Sequence, residues 1–360
     1  MTIGAKRILF ANPFGIGDVL FSLAAVEAAR KSLPRVEIGL LCNERVKELI
    51  TLYPGVTTVH ELDRDRFRKI RTSNPVLFLR EYRRLIRSIA EKKYDVMVDY
   101  SLGREFSFLG FCAGIHRRIG FDYRGRGFFL NEKTPFEGYE KKSVAESQLE
   151  ILQSLGIRPP AAGTGPLLSI SPELEKRASL FFQHEALEDA GSFMAMAPGG
   201  GKSWGVNAIY KQWNPEKFAE AANTWCVESK AAVLLIGDES ERELLEIVRR
   251  NLAVPNKMVC GQSLGVVAAL LKRVQFLLGN DGGLIHMAHA LGVKTVPIFG
   301  PVDEKVYGPY GAYADVEVVC EPVACRPCYS RFHFPPCPHE RRCLEQLSVQ
   351  KVLAAIAKIS

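Results

Sequence analysis

Residues 274–292 read VQFLLGNDGGLIHMAHALG, and the order of residue types in them points to one fold class. An apolar run stops at Asn280-Asp281, crosses Gly282 and Gly283, and enters a helix-like segment carrying His286 and His289. Strand, glycine-rich turn and helix, in that order, form part of a parallel βαβ unit, with the turn at the carboxyl edge of the sheet. Glycine there lets backbone approach a ligand without a Cβ in the way. The unpaired N–H groups of residues about 282–285 would then face an anion. The same arrangement also serves simply to turn a corner, so the neighbouring segments must choose between a binding turn and a structural one.

The same unit recurs along the chain. RILFAN precedes a helix over about 17–31, followed by VEIGLLC, a helix from Glu44, TTVHEL, a strongly basic helix and DVMVDY. Residues 157–166 (IRPPAAGTGP) are rich in Pro, Gly and Ala and read as a linker. A second alternation follows: SFMAMAP, a helix over about 214–227, AAVLLIG, a helix from about 239, KMVC, a helix from about 263, then VQFLLGN, a helix from about 283, KTVPIFG and a last helix over about 348–360. The pattern predicts an α/β protein of two Rossmann-like, doubly wound domains, 1–165 and 166–360, facing a cleft.

Bulk properties narrow the partners. A chain of 360 residues suits two cores better than one, and 47% hydrophobic with 24% charged residues is the composition of an ordinary globular protein. No apolar run approaches the ~18–20 residues of a membrane span. The start resembles a signal peptide, but Pro13, Gly15, Gly17 and Asp18 interrupt it and no small-residue cleavage site follows, so the expected compartment is the cytoplasm. The net charge of +7 is uneven: residues 1–170 hold 27 Lys+Arg against 19 Asp+Glu, the remainder 20 against 21. Much of the excess lies in residues 64–93, with 11 basic and 3 acidic residues among apolar ones. That stretch reads either as a solvated helix with an apolar core face or as a surface meeting anionic lipid or an acidic substrate. Nucleic acid is not expected, because no aromatic-plus-basic groove or known module accompanies the charge.

Two glycine-rich stretches fail as nucleotide motifs. APGGGKSW would need glycine where Met196 stands to be a P-loop, and the Gly15-Ile16-Gly17 start of a dinucleotide fingerprint has Leu20 in place of its third glycine. Three strand-end turns are left: NPFGIGDVL, with Asp18 in an opening helical turn; APGGGKSWGVNAIYKQW, ending in Lys211-Gln212-Trp213; and the 278–284 turn. Alone, each has a structural explanation, since an acid at a helix N-terminus is favoured by about 0.3–1 kcal/mol anyway. Together they suggest a ligand bearing a diphosphate, with Asp281 bracing its turn or accepting a ligand hydroxyl.

Four segments then carry a family likeness. RILFANPFGIGDVLFSLAAVEAARKSLP, HRRIGFDYR (116–124), APGGG…KQWNPEKFAE and LLGNDGGLIHMAHALGVKTVPIFGP, in that order, resemble glycosyltransferase family 9, the heptosyltransferases of lipopolysaccharide core assembly. The resemblance implies the GT-B fold, with acceptor bound mainly by the first domain and nucleotide-sugar by the second. It implies Asp18 as general base, Lys211 as the donor-diphosphate lysine (Lys202 being the substitute if the register slips) and Asp281 as the acid of the D-[TS]-G turn. Gly282 departs from that pattern, where Thr or Ser is usual, so one side-chain hydroxyl is missing. Expected donor-binding residues are Gly17, Gly199, Gly200, Lys211, Asp281, Gly282, Gly283, Leu284 and His286, with His289 as packing.

Arg117, Arg118 and Arg124 are expected to meet a phosphorylated or lipid-linked oligosaccharide acceptor. The implied reaction is an inverting, metal-independent transfer of heptose from an ADP-heptose-like donor, with no cofactor required. It would take place at the inner face of the cytoplasmic membrane, where the basic surface meets anionic lipid. Two alternatives stay open: a GT-B glycosyltransferase or epimerase with another nucleotide-sugar and a different acceptor, and a non-catalytic binding protein.

Residues 320–343 concentrate Cys320, Cys325, Cys328, Cys337 and Cys343. Cys325, Cys328, Cys337 and Cys343 could hold a structural zinc, pair as disulfides or stay reduced. Cys42, Cys112, Cys226 and Cys260 lie in or beside apolar runs and read as packing residues.

Overall fold

Short apolar runs buried on both faces become the strands of two parallel sheets, one in each half of the chain. The structure, a computed structural model, describes residues 5–157, 167–184 and 191–360, without the side chains of residues 202 and 203. The linker expected over 157–166 lies outside the described residues from 158 onward. The chain divides into two compact units, Met1–Ala161 and Ala162–Ser360.

The first unit runs β1 (Arg7–Asn12), α1 (Ile16–Ser32), β2 (Glu37–Cys42), α2 (Lys47–Thr51), β3 (Thr58–Glu61), α3 (Arg64–Ser73), α4 (Pro75–Ala90), β4 (Val96–Asp99), α5 (Arg104–Cys112), β5 (Arg117–Tyr123), β6 (Glu132–Phe136) and α6 (Val144–Ile151). Its sheet has the order β3-β2-β1-β4-β5-β6, with every pair parallel. Strand order reverses between β1 and β4. The loops leaving the carboxyl ends of those two strands therefore diverge and open a crevice, the usual ligand position in such sheets.

The second unit runs α7 (Pro172–His184), β7 (Ser192–Ala197), α8 (Pro215–Ser229), β8 (Ala231–Gly237), α9 (Arg242–Arg250), β9 (Asn256–Cys260), α10 (Leu264–Leu271), β10 (Phe276–Asn280), α11 (Gly283–Ala290), β11 (Lys294–Phe299), α12 (Glu304–Tyr307), β12 (Val319–Cys320), α13 (Arg342–Glu345) and α14 (Val349–Ile359). Its order, β12-β11-β10-β7-β8-β9, repeats the first unit's plan, and the switch point lies between β7 and β10. Every residue of β10 is buried, and Phe276 meets the edge of Trp225 at 4.9 Å between ring centroids. Burying a Phe or Leu side chain there stabilises the fold by about 1.5–3 kcal/mol each. Trp213, fully buried, packs on Phe218 and donates its indole N–H to the Leu347 carbonyl at 3.2 Å. The end of the 198–213 loop is thereby anchored to the core.

The basic stretch read as one helix is two. Helix α3 stops at Asn74, where Pro75 starts α4 at a position that has no use for an N–H, and the Asn74 side chain accepts from the Leu77 N–H at 3.0 Å. The 198–213 loop contains a 3-10 segment, Lys202–Lys211, kinked at Gly205, where φ is 53°.

Candidate functional site

At each switch point a strand ends in a buried asparagine: Asn280 ties two turns together, and Asn12 fixes the turn into its own helix. In the second unit Asn280 closes β10. Its amide donates to the Pro198 carbonyl at 2.6 Å, and its carbonyl accepts from the Trp213 N–H at 3.0 Å. The loop leaving β7 is thus clamped at both ends to the turn leaving β10. The clamp delivers Lys211 to Asp281: Nζ lies 2.6 Å from Oδ2, and both side chains are only 7% exposed. His286, one turn into α11, places Nε2 3.9 Å from the other carboxylate oxygen. Burial alone would raise the Asp281 carboxyl, but the Lys211 ammonium and His286 beside it outweigh burial and hold it below the ordinary carboxylate range.

The turn around this pair is open to an anion on one side. Gly282 is the N-cap of α11, in extended conformation with no side-chain cap. Of the N–H groups expected to be unpaired, that of Ile285 already donates to the Gly282 carbonyl at 3.2 Å. Those of Gly282, Gly283 and Leu284 make no hydrogen bond among the described residues. Three donors at a helix start, with a lysine close by, are chemically suited to negative charge.

The turn at residues 199–201 packs against an acid of this chain. Gly201 donates its N–H to the Glu241 carboxylate at 3.4 Å, and a Cβ on Gly199 would lie 1.9 Å from the same carboxylate. These glycines therefore make room for an acid of this chain. Burial raises the Glu241 carboxyl, partly offset by N–H groups of Asp238 and Gly201. Gly200 is required by close approach, since a Cβ there would meet the Ala208 carbonyl oxygen at 2.2 Å. The Lys202 side chain, the alternative in the register, lies outside the described residues. His289 is buried and donates from Nε2 to the Gly311 carbonyl at 2.9 Å, so it is a packing residue.

In the first unit, Asn12 at the end of β1 donates to the Asp18 carbonyl at 2.9 Å and to the Ser22 hydroxyl at 2.6 Å, fixing the opening turn of α1. Asp18 is half-buried there, its carboxylate folded back over Gly15, where a Cβ would lie 3.9 Å from Oδ2. Gly17, grouped with the donor residues from the sequence, belongs to this turn; all the other members of that group belong to the second unit.

Of the arginines expected to meet an acceptor, two are engaged in the fold. Arg117 pairs with Glu132 and donates to the Ser154 carbonyl at 2.8 Å; Arg118 donates to the carbonyls of Phe129 and Ile115. Arg124 is exposed, its guanidinium 5.0 Å from the Tyr123 ring centre. The exposed side of α4 is a stripe of Val76, Leu79, Arg80, Arg83 and Arg87 at helical spacing, with Arg84 beside it.

All nine cysteines are free thiols. Cys328 donates to the Cys325 carbonyl at 2.8 Å, and Cys337 sulfur accepts from the Arg341 N–H at 3.4 Å. Among the described residues no three His, Cys, Asp or Glu side chains are arranged to hold a metal ion. No helix among the described residues is long and apolar enough to cross a membrane.

Sequence reasoning missed Asn12, Asn280 and Glu241. The only local signal was the Asp238-x-x-Glu241 spacing of a capping box, which the structure contains.

The sequence pattern of glycosyltransferase family 9 (heptosyltransferase) matches residues 82–334. Lipopolysaccharide heptosyltransferase 1 of Pseudomonas aeruginosa is 25% identical over 321 residues, covering 85% of this chain and 81% of its own. Lipopolysaccharide heptosyltransferase 2 of Escherichia coli K12 is 23% identical, covering 82% of this chain and 83% of its own. The solved E. coli ADP-heptose lipopolysaccharide heptosyltransferase II aligns over 98% of both chains with a TM-score of 0.75 and 19% identity. An E. coli heptosyltransferase solved with ADP aligns over 98% of this chain and all of its own, with a TM-score of 0.73 and 21% identity. The structural likenesses establish the GT-B class of fold.

Proposed function

The chain belongs to glycosyltransferase family 9, the heptosyltransferases, and we propose that it transfers heptose from an ADP-heptose-like donor to a lipopolysaccharide core acceptor. The observation that carries this reading is the buried Lys211–Asp281 pair, set beside three N–H donors at the start of α11. In the displacement an acceptor hydroxyl attacks the anomeric carbon, its proton passes to the Asp18 carboxylate, and the glycosidic oxygen leaves with the nucleoside diphosphate. A single in-line step inverts the anomeric centre.

The departing diphosphate gains negative charge, and Lys211 with the N–H groups of residues 282–284 would stabilise it by electrostatic preorganisation. Competition between diphosphate and Asp281 for the lysine releases the carboxylate to accept a sugar hydroxyl. Charge compensation by lysine and helix start supports a metal-independent reaction, for which unchanged turnover in chelator is the test.

The first unit supports an acidic, membrane-borne acceptor. Arg68, Lys69, Arg71, Arg80, Arg83 and Arg84 are exposed and form no ion pair among the described residues, and Val76 and Leu79 stand exposed among them. Such a face suits the anionic inner leaflet of the cytoplasmic membrane. Co-sedimentation with vesicles should favour anionic over neutral lipid at moderate salt; equal binding removes this part. A structural zinc on Cys325, Cys328, Cys337 and Cys343 is supported by ligand type and spacing alone, and stoichiometric zinc in freshly purified protein is its test.

The decisive experiment is a donor screen across ADP-, GDP- and UDP-sugars with calorimetry of the nucleoside diphosphates. Selective ADP binding, with transfer from ADP-heptose, supports the proposal. Selectivity for another nucleotide moves the enzyme to a different donor, a reading that Gly282 favours because it lacks the hydroxyl usual in that turn. Binding of none sinks the donor site.

A further inference from the structure

The Cys-rich segment over 320–343 touches the 198–213 loop at the residues that flank Lys211. Arg341 donates from Nη1 to the carbonyl of Ile209 at 2.9 Å and to that of Gln212 at 3.3 Å, bracketing Tyr210-Lys211, while its Nη2 pairs with Glu345. Its own backbone is left-handed, with φ of 56°, a conformation unfavourable for a residue with a side chain and held here by its surroundings. From the same segment Phe334 packs against Tyr210 at 5.1 Å and against Trp204 at 5.6 Å, and Tyr329 meets Trp204 at 5.0 Å. Trp204 in turn lies under the Lys211 ammonium, whose Nζ is 4.8 Å from its ring centre. The lysine is therefore fixed by three partners: a carboxylate on one turn, an indole face, and a main chain tied down by a guanidinium.

Resting on the donor-site reading above, we propose that Trp204 and Arg341 are positioning residues for Lys211, and that the Cys-rich segment is the buttress through which both act on the donor diphosphate. A lysine side chain has four rotatable bonds, and holding its charge where the diphosphate arrives removes an ordering cost from binding. The indole face attracts the ammonium without neutralising it, unlike Asp281. The charge thus keeps a favourable resting place close by when the diphosphate displaces the carboxylate. Arg341 and Glu345 border a cavity of about 560 Å³ lined also by Ile209, Tyr210, Cys337 and Glu340, so truncating Arg341 removes a clamp without emptying a packed core.

The test compares ADP with adenosine, because only ADP presents the charge that Lys211 addresses. Calorimetry on the full chain uses Trp204→Ala, Trp204→Phe, Arg341→Ala and, as reference, Lys211→Ala, each with its thermal midpoint. Trp204→Ala and Arg341→Ala should each weaken ADP about tenfold, or about 1.4 kcal/mol, and leave adenosine binding unchanged, with the midpoint showing that each variant is folded at the temperature of the measurement. Trp204→Phe, which keeps a π face, should recover most of the loss, and Arg341→Ala added to Lys211→Ala should cost nothing more. Unchanged ADP affinity in both alanine variants overturns the proposal, as does equal weakening of ADP and adenosine. If Lys211→Ala itself leaves ADP binding intact, the donor-site reading falls and this proposal with it. If Lys211→Ala weakens ADP and the two positioning variants do not, only this proposal falls. Should Arg341→Ala fail to fold, the Trp204 pair decides alone.

Discussion

Lys211 Nζ lies 2.6 Å from Asp281 Oδ2 with both side chains buried, although the two residues leave different strands. Removing one partner of a buried pair strands the other charge in low dielectric, which typically costs about 3–5 kcal/mol. Asp281→Ala should therefore lower the thermal midpoint markedly, and Asp281→Ala with Lys211→Met should recover much of it. A double variant no more stable than Asp281→Ala would mean that the pair does not act as a unit.

The Asp18 carboxylate is assigned proton transfer and no donor contact. Asp18→Asn should keep ADP affinity while turnover falls by about 10²–10⁴-fold, the usual worth of a general base. Steady-state kinetics with calorimetry checks this, and near-normal turnover would remove Asp18 from the mechanism.

Gly200 has no space for a Cβ, which would meet the Ala208 carbonyl oxygen at 2.2 Å, backbone that cannot swing away as a side chain could. Gly200→Ala should displace the loop carrying Trp204 and Lys211 and lower turnover by about 10²-fold, the scale of an ångström misplacement. Wild-type kinetics in a folded Gly200→Ala protein would show that the loop's position is unimportant.

His60 is 5% exposed, its ring nitrogens 2.9 Å from the Tyr94 hydroxyl and 3.3 Å from that of Ser88. Burial pushes its imidazole down from 6.5 to about 4, with the charge of Lys92 adding to the effect. The unfolded chain takes up a proton below the ordinary value while the folded chain stays neutral. The contribution of His60 is therefore complete above about pH 6.5 and declines as pH falls towards 4, by up to about 3 kcal/mol. Thermal midpoints between pH 7 and 5 should fall less steeply in His60→Gln than in wild type, and parallel curves would refute the assignment.

Local structure was largely legible. Short apolar runs, with Gly and Pro near their ends, located β1, β2, β7, β8, β10 and β11 within a residue or two, because a strand buried on both faces is apolar along its whole length. Helix α4 was hidden inside a longer basic run because Asn74-Pro75 interrupts the helix without interrupting the charge. Strand β6 was invisible: in EKTPF no residue is buried, so no period was imposed.

The candidate residues divide in the same way. The strand-turn-helix at 274–292, the acid in the first turn of α1 and the lysine before Trp213 are local patterns that can be read from neighbouring residues alone. That Lys211 meets Asp281, that Glu241 fills the 199–201 turn, that Arg117 and Arg118 bond within their own unit, and that Arg341 reaches the 198–213 loop follows from how distant segments pack. Each depends on a long-range register, such as the pairing of Met196 with Leu278 that brings the β7 and β10 turns together. Side-chain period says which face is buried. It carries no information about which distant turn stands opposite, and an ion pair or a clamp is made only there.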